Sequence, residues 1–138
     1  MRAQRVLETC LYVEDLDAAE TFYASVLGLE RDAKVSGRHV FFRCGEGMLL
    51  LFDPRATSRQ SGNFPTHGAF GPGHAAFAVT PAEISRWRDH LRGHGVPIEA
   101  EVSWPNGGQS LYFRDPAGNS LEFATPAIWG LPDDGVCS

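Results

Sequence analysis

The chain has 138 residues, of which 43% are hydrophobic and 21% charged, and a formal net charge of -5. One domain of this size can bury a core without disulfide or metal support. The acidic balance, with a pI near 5.4, argues against nucleic acid or an anionic membrane as a partner. The three cysteines form no CxxC pair, and no segment approaches the roughly 18 apolar residues of a membrane span, so we expect a cytoplasmic protein.

The first half of the chain predicts a strand, a helix and three further strands. The helix begins after Asp15, a residue type that caps helices, and ends at Gly28. Apolar residues recur at helical spacing between them and predict one buried face, made of Leu16, Ala19, Phe22, Tyr23 and Val26. The predicted strands of this half cover residues 5–13, 30–35, 38–44 and 47–53.

The second half repeats this order after a segment rich in Gly and Pro, residues 54–73, which we interpret as a linker or mobile loop. A strand at 74–79 is followed by Thr80, Pro81 and Glu83, which together predict a capped helix start, and Gly95 predicts its end. The remaining predicted strands cover residues 98–103, 109–114 and 119–125. The tail, residues 127–138, has an apolar patch that we expect to pack on a partner or over a cleft.

An internal repeat links the two halves. "FFRCGEGMLLLF" (41–52) aligns without a gap on "YFRDPAGNSLEF" (112–123), so that Leu51 meets Glu122. "ETCLYV" (8–13) aligns on "HAAFAV" (74–79), so that Glu8 meets His74. The predicted fold is therefore α+β, a single domain over residues 1–138 built from two βαβββ modules, 5–53 and 74–126. A pseudo-twofold relation between the modules would bring positions 8, 51, 74 and 122 to one shared cleft.

The second closing hairpin contains a carboxylate that needs an explanation. Glu122 lies between Leu121 and Phe123 in an apolar strand. An ionised carboxylate in such a place costs several kcal/mol unless a cation or hydrogen-bond donors satisfy it. The sequence therefore predicts a cationic partner for Glu122.

The opening segment "LYVEDLDAAETFYASVLGL" and the closing "YFRDPAGNSLEF" resemble the vicinal oxygen chelate superfamily. That superfamily includes glyoxalase I, extradiol dioxygenases, fosfomycin-resistance enzymes, methylmalonyl-CoA epimerase and bleomycin-resistance proteins. The resemblance covers residues 6 to about 126. It implies curled mixed sheets that form a cleft, and metal ligands at Glu8, His74 and Glu122. Leu51, at the fourth-strand ligand position, cannot bind a metal ion.

The resemblance also implies one divalent ion, either Zn, Ni, Mn, Fe or Co, and a homodimer. In that dimer Glu8 of one subunit would join His74 and Glu122 of the other. Glu8 departs from the family pattern, because the three-ligand branches normally have His there. The side chain of Glu8 could instead pair with an arginine, either Arg38 or Arg43.

Substrate contacts are expected on the strand that precedes Glu122. Ser110, Tyr112 and Arg114 alternate along it and share a face, and Tyr112 matches a substrate-contacting tyrosine of the fosfomycin-resistance branch. Trp104 is a further candidate for contact with a small-molecule substrate. Glu122, Tyr112 and His67, a loop residue, are the catalytic candidates.

Two main interpretations of function remain open. In the first, the protein is a metal-dependent enzyme that chelates two adjacent oxygens of a small substrate, as a glyoxalase-like lyase or isomerase or as a dioxygenase. In the second, it is a metal-free protein that sequesters an aromatic ligand, as bleomycin-resistance members do. A stand-alone ligand sensor is a third interpretation.

Overall fold

The computed structural model describes residues 1–133 of the chain. They form two compact units, Met1–Gly73 and a second one that begins at His74. No helix in this part of the chain combines the length and apolar character needed to cross a bilayer. The last part of the predicted tail, residues 134–138, lies outside the described residues.

The first unit contains a four-stranded mixed sheet with the strand order β1-β4-β3-β2. Strand β1 runs parallel to β4, and the other neighbours are antiparallel. The elements in chain order are β1 (Glu8–Tyr12), α1 (Leu16–Ser25), β2 (Glu30–Val35), β3 (His39–Cys44), β4 (Gly47–Phe52) and α2 (Pro54–Thr57).

The second unit repeats this topology with the strand order β5-β8-β7-β6. The elements are β5 (His74–Ala78), a 3-10 turn (Pro81–Glu83), α3 (Ile84–Gly93), β6 (Ala100–Ser103), β7 (Gln109–Arg114), β8 (Ser120–Ala124) and a 3-10 turn (Pro126–Trp129). The predicted α+β fold with two βαβββ modules is confirmed, and each strand boundary lies within three residues of its predicted place. Helix α2 was not predicted, because it lies in the segment interpreted as a linker.

Helix α1 begins at the predicted cap residue and buries the predicted apolar face. Asp15 Oδ1 accepts a hydrogen bond from the Ala18 amide at 3.0 Å, which satisfies one of the free donors of the first turn. All five residues of the predicted apolar face are buried. Tyr23 packs on Phe42 of β3, with ring centroids 6.0 Å apart, so α1 covers one face of the first sheet.

Helix α3 covers one face of the second sheet in the same way. Glu83 Oε2 accepts a hydrogen bond from the Thr80 amide at 2.8 Å, the side-chain half of the predicted capping box. Trp87 stacks on Phe123 of β8 at 4.2 Å between ring centroids. The face of each sheet that α1 or α3 covers is therefore apolar core, and the opposite face carries the candidate polar residues.

The two closing hairpins differ in length, which corrects one detail of the predicted repeat. Residues 44–47 separate the paired Arg43 and Met48, whereas residues 115–119 separate the paired Arg114 and Ser120. Glu8 pairs with Met48 and His74 pairs with Ser120. In that common register Leu50, not Leu51, is the counterpart of Glu122, because each lies two residues further along its strand.

The longer turn, residues 115–119, is stabilised by hydrogen bonds of its own side chains. Asp115 Oδ1 accepts hydrogen bonds from the amides of Ala117 and Asn119, both at 2.9 Å. Asp115 Oδ2 accepts a third from Asn119 Nδ2 at 2.9 Å. Both side chains are buried, and Gly118 supplies the positive φ of 87° that the chain needs there.

Candidate functional site

His74 and Glu122 meet on the open face of the second sheet. They lie on adjacent parallel strands, and His74 Nε2 is 3.3 Å from Glu122 Oε2. The Glu122 side chain is 6% exposed and that of His74 is 52% exposed. The carboxylate is thus fixed within the sheet, whereas the imidazole stands at its exposed edge.

The hydrogen bond made by the second ring nitrogen of His74 determines the tautomer of the neutral imidazole. Nδ1 lies 3.0 Å from the backbone oxygen of Ser120. A carbonyl oxygen only accepts, so Nδ1 carries the hydrogen, and in the neutral ring Nε2 presents a lone pair. That lone pair faces a carboxylate oxygen. Two acceptors at this separation repel each other unless a cation, either a proton or a metal ion, lies between them.

Glu122 has a second oxygen that supports a metal ion. Oε1 is buried and has no hydrogen-bond partner within residues 1–133. A buried carboxylate oxygen left unpaired is costly, and a proton shared between His74 and Oε2 does nothing for it. A divalent ion that binds the carboxylate would compensate its charge, and ligand atoms about 3 Å apart suit metal bonds of about 2.0–2.2 Å. The residues therefore fit a divalent ion.

A third ligand is not found beside this pair. Over the described ranges, no group of three or more His, Cys, Asp or Glu side chains is arranged to hold a metal ion. Glu8, the predicted third ligand, begins β1 in the first unit. Of the two arginines considered as partners for Glu8, Arg43 pairs with Asp32, with Nη2 2.7 Å from Oδ1. A metal-binding role for Glu8 stays a prediction.

Three predicted substrate-contacting residues share the face that carries Glu122. Tyr112 pairs directly with Glu122 across the β7–β8 ladder. Burial and then the negative charge of Glu122 raise the pKa of Tyr112. Trp104 Nε1 donates a hydrogen bond to Ser110 Oγ at 2.9 Å, so Trp104, Ser110 and Tyr112 form a continuous polar and aromatic surface beside the carboxylate.

Arg114, the fourth predicted contact, is already engaged within the second unit. Its Nε and Nη2 atoms donate to the two oxygens of Glu99 at 2.6 and 3.0 Å. A further bond runs from Nη1 to the backbone oxygen of Gly118 at 3.0 Å. The guanidinium therefore braces the longer turn, and its role in substrate binding stays a prediction.

Two hydrogen bonds hold His67 in place in the first unit. Its Nδ1 lies 2.6 Å from the hydroxyl of Tyr12, and its amide donates to the Thr57 backbone oxygen at 3.1 Å. Tyr12 was missed from the sequence as a functional residue. The available signal was strand parity, because Glu8, Cys10 and Tyr12 alternate along β1 and share one face.

A pocket of about 350 Å³ lies beside these residues and is lined mainly by Glu8, Cys10, Tyr12, Leu50, Phe52 and His67. Leu50 is the counterpart of Glu122 in the repeat register. The first sheet therefore has an apolar side chain at the position where the second sheet has its buried carboxylate.

These features define a class of protein, one with two βαβββ sheets and a histidine–glutamate pair on the face of the second sheet that no helix of residues 1–133 covers. The chain belongs to the Glyoxalase/Bleomycin resistance protein/Dioxygenase superfamily, whose family model matches residues 5–123. The resemblance stated from the sequence is thereby confirmed.

Solved structures agree with this assignment. The crystal structure of lactoylglutathione lyase from Agrobacterium tumefaciens is 46% identical, with a TM-score of 0.92, over 95% of this chain and 100% of that chain. Integron cassette protein HFX_CASS4, from the mobile metagenome of the Halifax Harbour sewage outfall, is 26% identical, with a TM-score of 0.74, over 89% and 99%. The fosfomycin resistance protein FosX from Listeria monocytogenes, 20% identical with a TM-score of 0.66 over 89% and 91%, shows the fold alone.

Proposed function

We propose that this protein is a divalent-metal-dependent enzyme of the glyoxalase type, a lyase or isomerase that acts on a small substrate with two adjacent oxygens. The observation that carries the proposal is the contact between His74 and Glu122, in which a nitrogen lone pair faces a carboxylate oxygen at 3.3 Å. The 46% identity to a protein named lactoylglutathione lyase favours this chemistry over that of a dioxygenase.

His74 and Glu122 would be two of the ligands, and Glu8 of a second copy of the chain the third. The bond from His74 Nδ1 to the Ser120 carbonyl keeps Nε2 free to ligate, as second-shell bonds to metal-bound histidines do. A bound divalent ion would polarise the substrate oxygens and stabilise negative charge that develops on them.

The remaining roles fall to side chains of the chain itself. Glu122 or Glu8 would take the proton from one carbon of an α-hydroxycarbonyl substrate and return it to the neighbouring carbon. The hydroxyl proton would pass to the former carbonyl oxygen, so that atoms and charge balance. The Tyr112 hydroxyl would donate a hydrogen bond to a substrate oxygen. Ser110 and Trp104 would form the wall beside it.

The first experiment is metal analysis of protein purified without a His tag, followed by reloading with Mn, Fe, Co, Ni or Zn. We expect close to one ion per chain in the wild type and a small fraction of that in Glu122→Gln. Glu101→Gln is the matched control, because Glu101 lies in the same unit but pairs with Arg88 at the surface. A wild type that takes up none of the five ions, like the variant, would disprove the proposal.

Activity is tested with methylglyoxal and glutathione, whose adduct isomerises to lactoylglutathione with a change in thioester absorbance. Glu122→Gln should lower kcat by at least about 100-fold, as loss of an acid–base group does. Unchanged turnover in that variant would remove Glu122 from the chemistry.

A homodimer is part of the same proposal. Large apolar side chains are exposed in each unit, including Phe64, Phe70 and Trp129, and such surface is typical of protein contacts. Sedimentation equilibrium should give twice the chain mass. A monomer at micromolar concentration would contradict it.

A metal-free binding protein remains the second candidate, favoured by the aromatic rings that surround Phe52 in the first unit. It predicts binding of aromatic compounds by protein that holds no ion and shows no turnover.

A further inference from the structure

The hydrogen-bonded pair Tyr12–His67 determines the chemistry that the first-unit pocket offers to a ligand. The phenol is the stronger donor of the two groups, and burial, followed by a hydrogen bond to Cys10 and the charge of Cys10, raises the pKa of Tyr12 to about 12. Sulfur is a weak acceptor, so the Tyr12 hydrogen is directed to His67 Nδ1 at 2.6 Å.

The direction of this hydrogen bond determines whether the other ring nitrogen of His67, Nε2, carries a hydrogen. Since Nδ1 accepts, the neutral ring carries its hydrogen on Nε2. Nε2 has no hydrogen-bond partner within residues 1–133. Because His67 lines the pocket, it provides an N–H donor for a ligand acceptor.

The rest of the pocket favours a flat apolar ligand. Phe52 lines the pocket, with His67 edge-on at 4.8 Å and Tyr12 at 6.4 Å between ring centroids. Leu50 adds an aliphatic wall. Aromatic rings in such positions bind a further ring by edge-to-face or offset stacking. Among residues 1–133, Glu8 is the only charged residue that lines this pocket, and its negative charge disfavours anionic ligands.

From these contacts we infer that the first-unit pocket binds a neutral or cationic aromatic molecule through a ring nitrogen or carbonyl that accepts a hydrogen bond from His67 Nε2–H. Tyr12 is the positioning residue that keeps this hydrogen on Nε2. The inference rests on the second candidate function, the binding protein, and deepens it by naming the class of ligand and the hydrogen-bond donor. It does not involve His74 and Glu122, which lie in the second unit.

The imidazole tautomer gives a readout that does not depend on any ligand. Protein labelled with ¹⁵N-histidine should show His67 in the Nε2–H form by long-range proton–nitrogen NMR at neutral pH, with His67→Gln identifying the resonance. Tyr12→Phe should shift His67 toward a mixture of tautomers. His94→Gln, which changes the exposed histidine that caps the C-terminus of α3, should leave the His67 signals unchanged. A wild-type His67 with its hydrogen on Nδ1 would overturn the inference.

Binding is then measured by calorimetry on metal-free protein, with isoquinoline as the probe and naphthalene as its counterpart without an acceptor. Isoquinoline should bind more tightly than naphthalene. Its affinity should fall about three- to tenfold in Tyr12→Phe and at least about tenfold in His67→Ala, and His67→Gln, which keeps an N–H donor, should recover part of the loss.

Two results would overturn the binding step. One is isoquinoline affinity no better than that of naphthalene, and the other is unchanged affinity in folded His67→Ala. Neither result bears on the metal content of the protein. The binding test and the metal test of the proposed function can therefore fail independently.

Discussion

His74 and Glu122 bring two acceptor atoms to within 3.3 Å of each other, Nε2 and Oε2, because the only ring hydrogen of neutral His74 is held by the Ser120 carbonyl. In this arrangement a cation must lie between the side chains for the contact to be favourable. The same two side chains would otherwise be a source of strain in the second sheet.

Divalent ions should therefore stabilise the folded chain. At an ion concentration of 100 times Kd, the free energy of unfolding should rise by about 2.7 kcal/mol, measured as a higher midpoint in thermal melts with each candidate ion. Glu122→Gln should lose this gain, while Glu101→Gln should keep it. An equal gain in Glu122→Gln would show that the ion binds elsewhere.

The register of the first sheet predicts opposite outcomes for two neighbouring leucines. Leu51 is 0% exposed and packs on the helix side, whereas Leu50 is 8% exposed and lines the pocket. Leu51→Glu should cost about 3–5 kcal/mol of unfolding free energy, because it buries an unpaired charge. Leu50→Glu should cost about 1–2 kcal/mol, because its carboxylate reaches the pocket. Urea unfolding distinguishes them, and equal losses would refute the assigned register.

The turn at Asp115 should contribute strongly to stability. Asp115→Ala removes the acceptor of three hydrogen bonds and leaves the buried Asn119 side chain without one of its partners. We expect a loss of about 2–4 kcal/mol in urea unfolding. Asp115→Asn, which keeps one acceptor oxygen, should lose less. Asp89→Ala, an exposed aspartate on α3, is the control, and a loss in Asp115→Ala no larger than in this control would contradict the assignment.

His39 predicts a specific pH dependence. Its ring stacks on Phe41 at 3.9 Å, and Nδ1 is buried without a partner in the described part of the chain. Burial, followed by the positive charge of Arg38, lowers the pKa of His39 from its ordinary 6.5. The unfolded chain therefore binds the proton more readily, so stability is complete above pH 6.5 and falls as the pH drops toward the folded-state pKa.

His39→Phe should keep the stacking, remove the unpaired nitrogen and raise the free energy of unfolding by about 1 kcal/mol at neutral pH. The variant should also lose less unfolding free energy than the wild type as the pH falls below 6.5, measured by urea titrations at a series of pH values. His94→Gln should retain the wild-type slope. A variant with the full wild-type loss would show that another group is responsible.

Much of the fold was predictable because local signals and the repeat agreed. Asp15, Thr80 and Glu83 indicate where the helices start, and strand alternation indicates which faces are buried. Turn length was not predictable from a gapless alignment, since Asp115 and Asn119 hold an extra residue by side-chain bonds that the alignment does not register. The sequence also contains a start signal for helix α2. Asp53 accepts from the Arg55 amide at 2.9 Å, and Asp-Pro is a typical cap followed by a first-turn proline.

The candidate site was predictable only in part. Strand parity predicted that Glu122 lies on the face opposite to Leu121 and Phe123, and the repeat indicated His74. The bond from Tyr12 to His67 joins residues 55 positions apart, and nothing in the local sequence of either indicates it. Likewise, the pairing of Arg114 with Glu99 depends on where β6 begins relative to the end of β7.

The extra residue between β7 and β8 determines which face of β8 carries Glu122. With the same sequence and a turn as short as that between β3 and β4, Leu121 would stand opposite Tyr112, and Glu122 would be directed into the layer under α3. A shift of one residue in the β7–β8 pairing therefore exchanges the two faces of β8. The length of the turn at Asp115 thus keeps the Glu122 carboxylate on the same face as Tyr112 and His74.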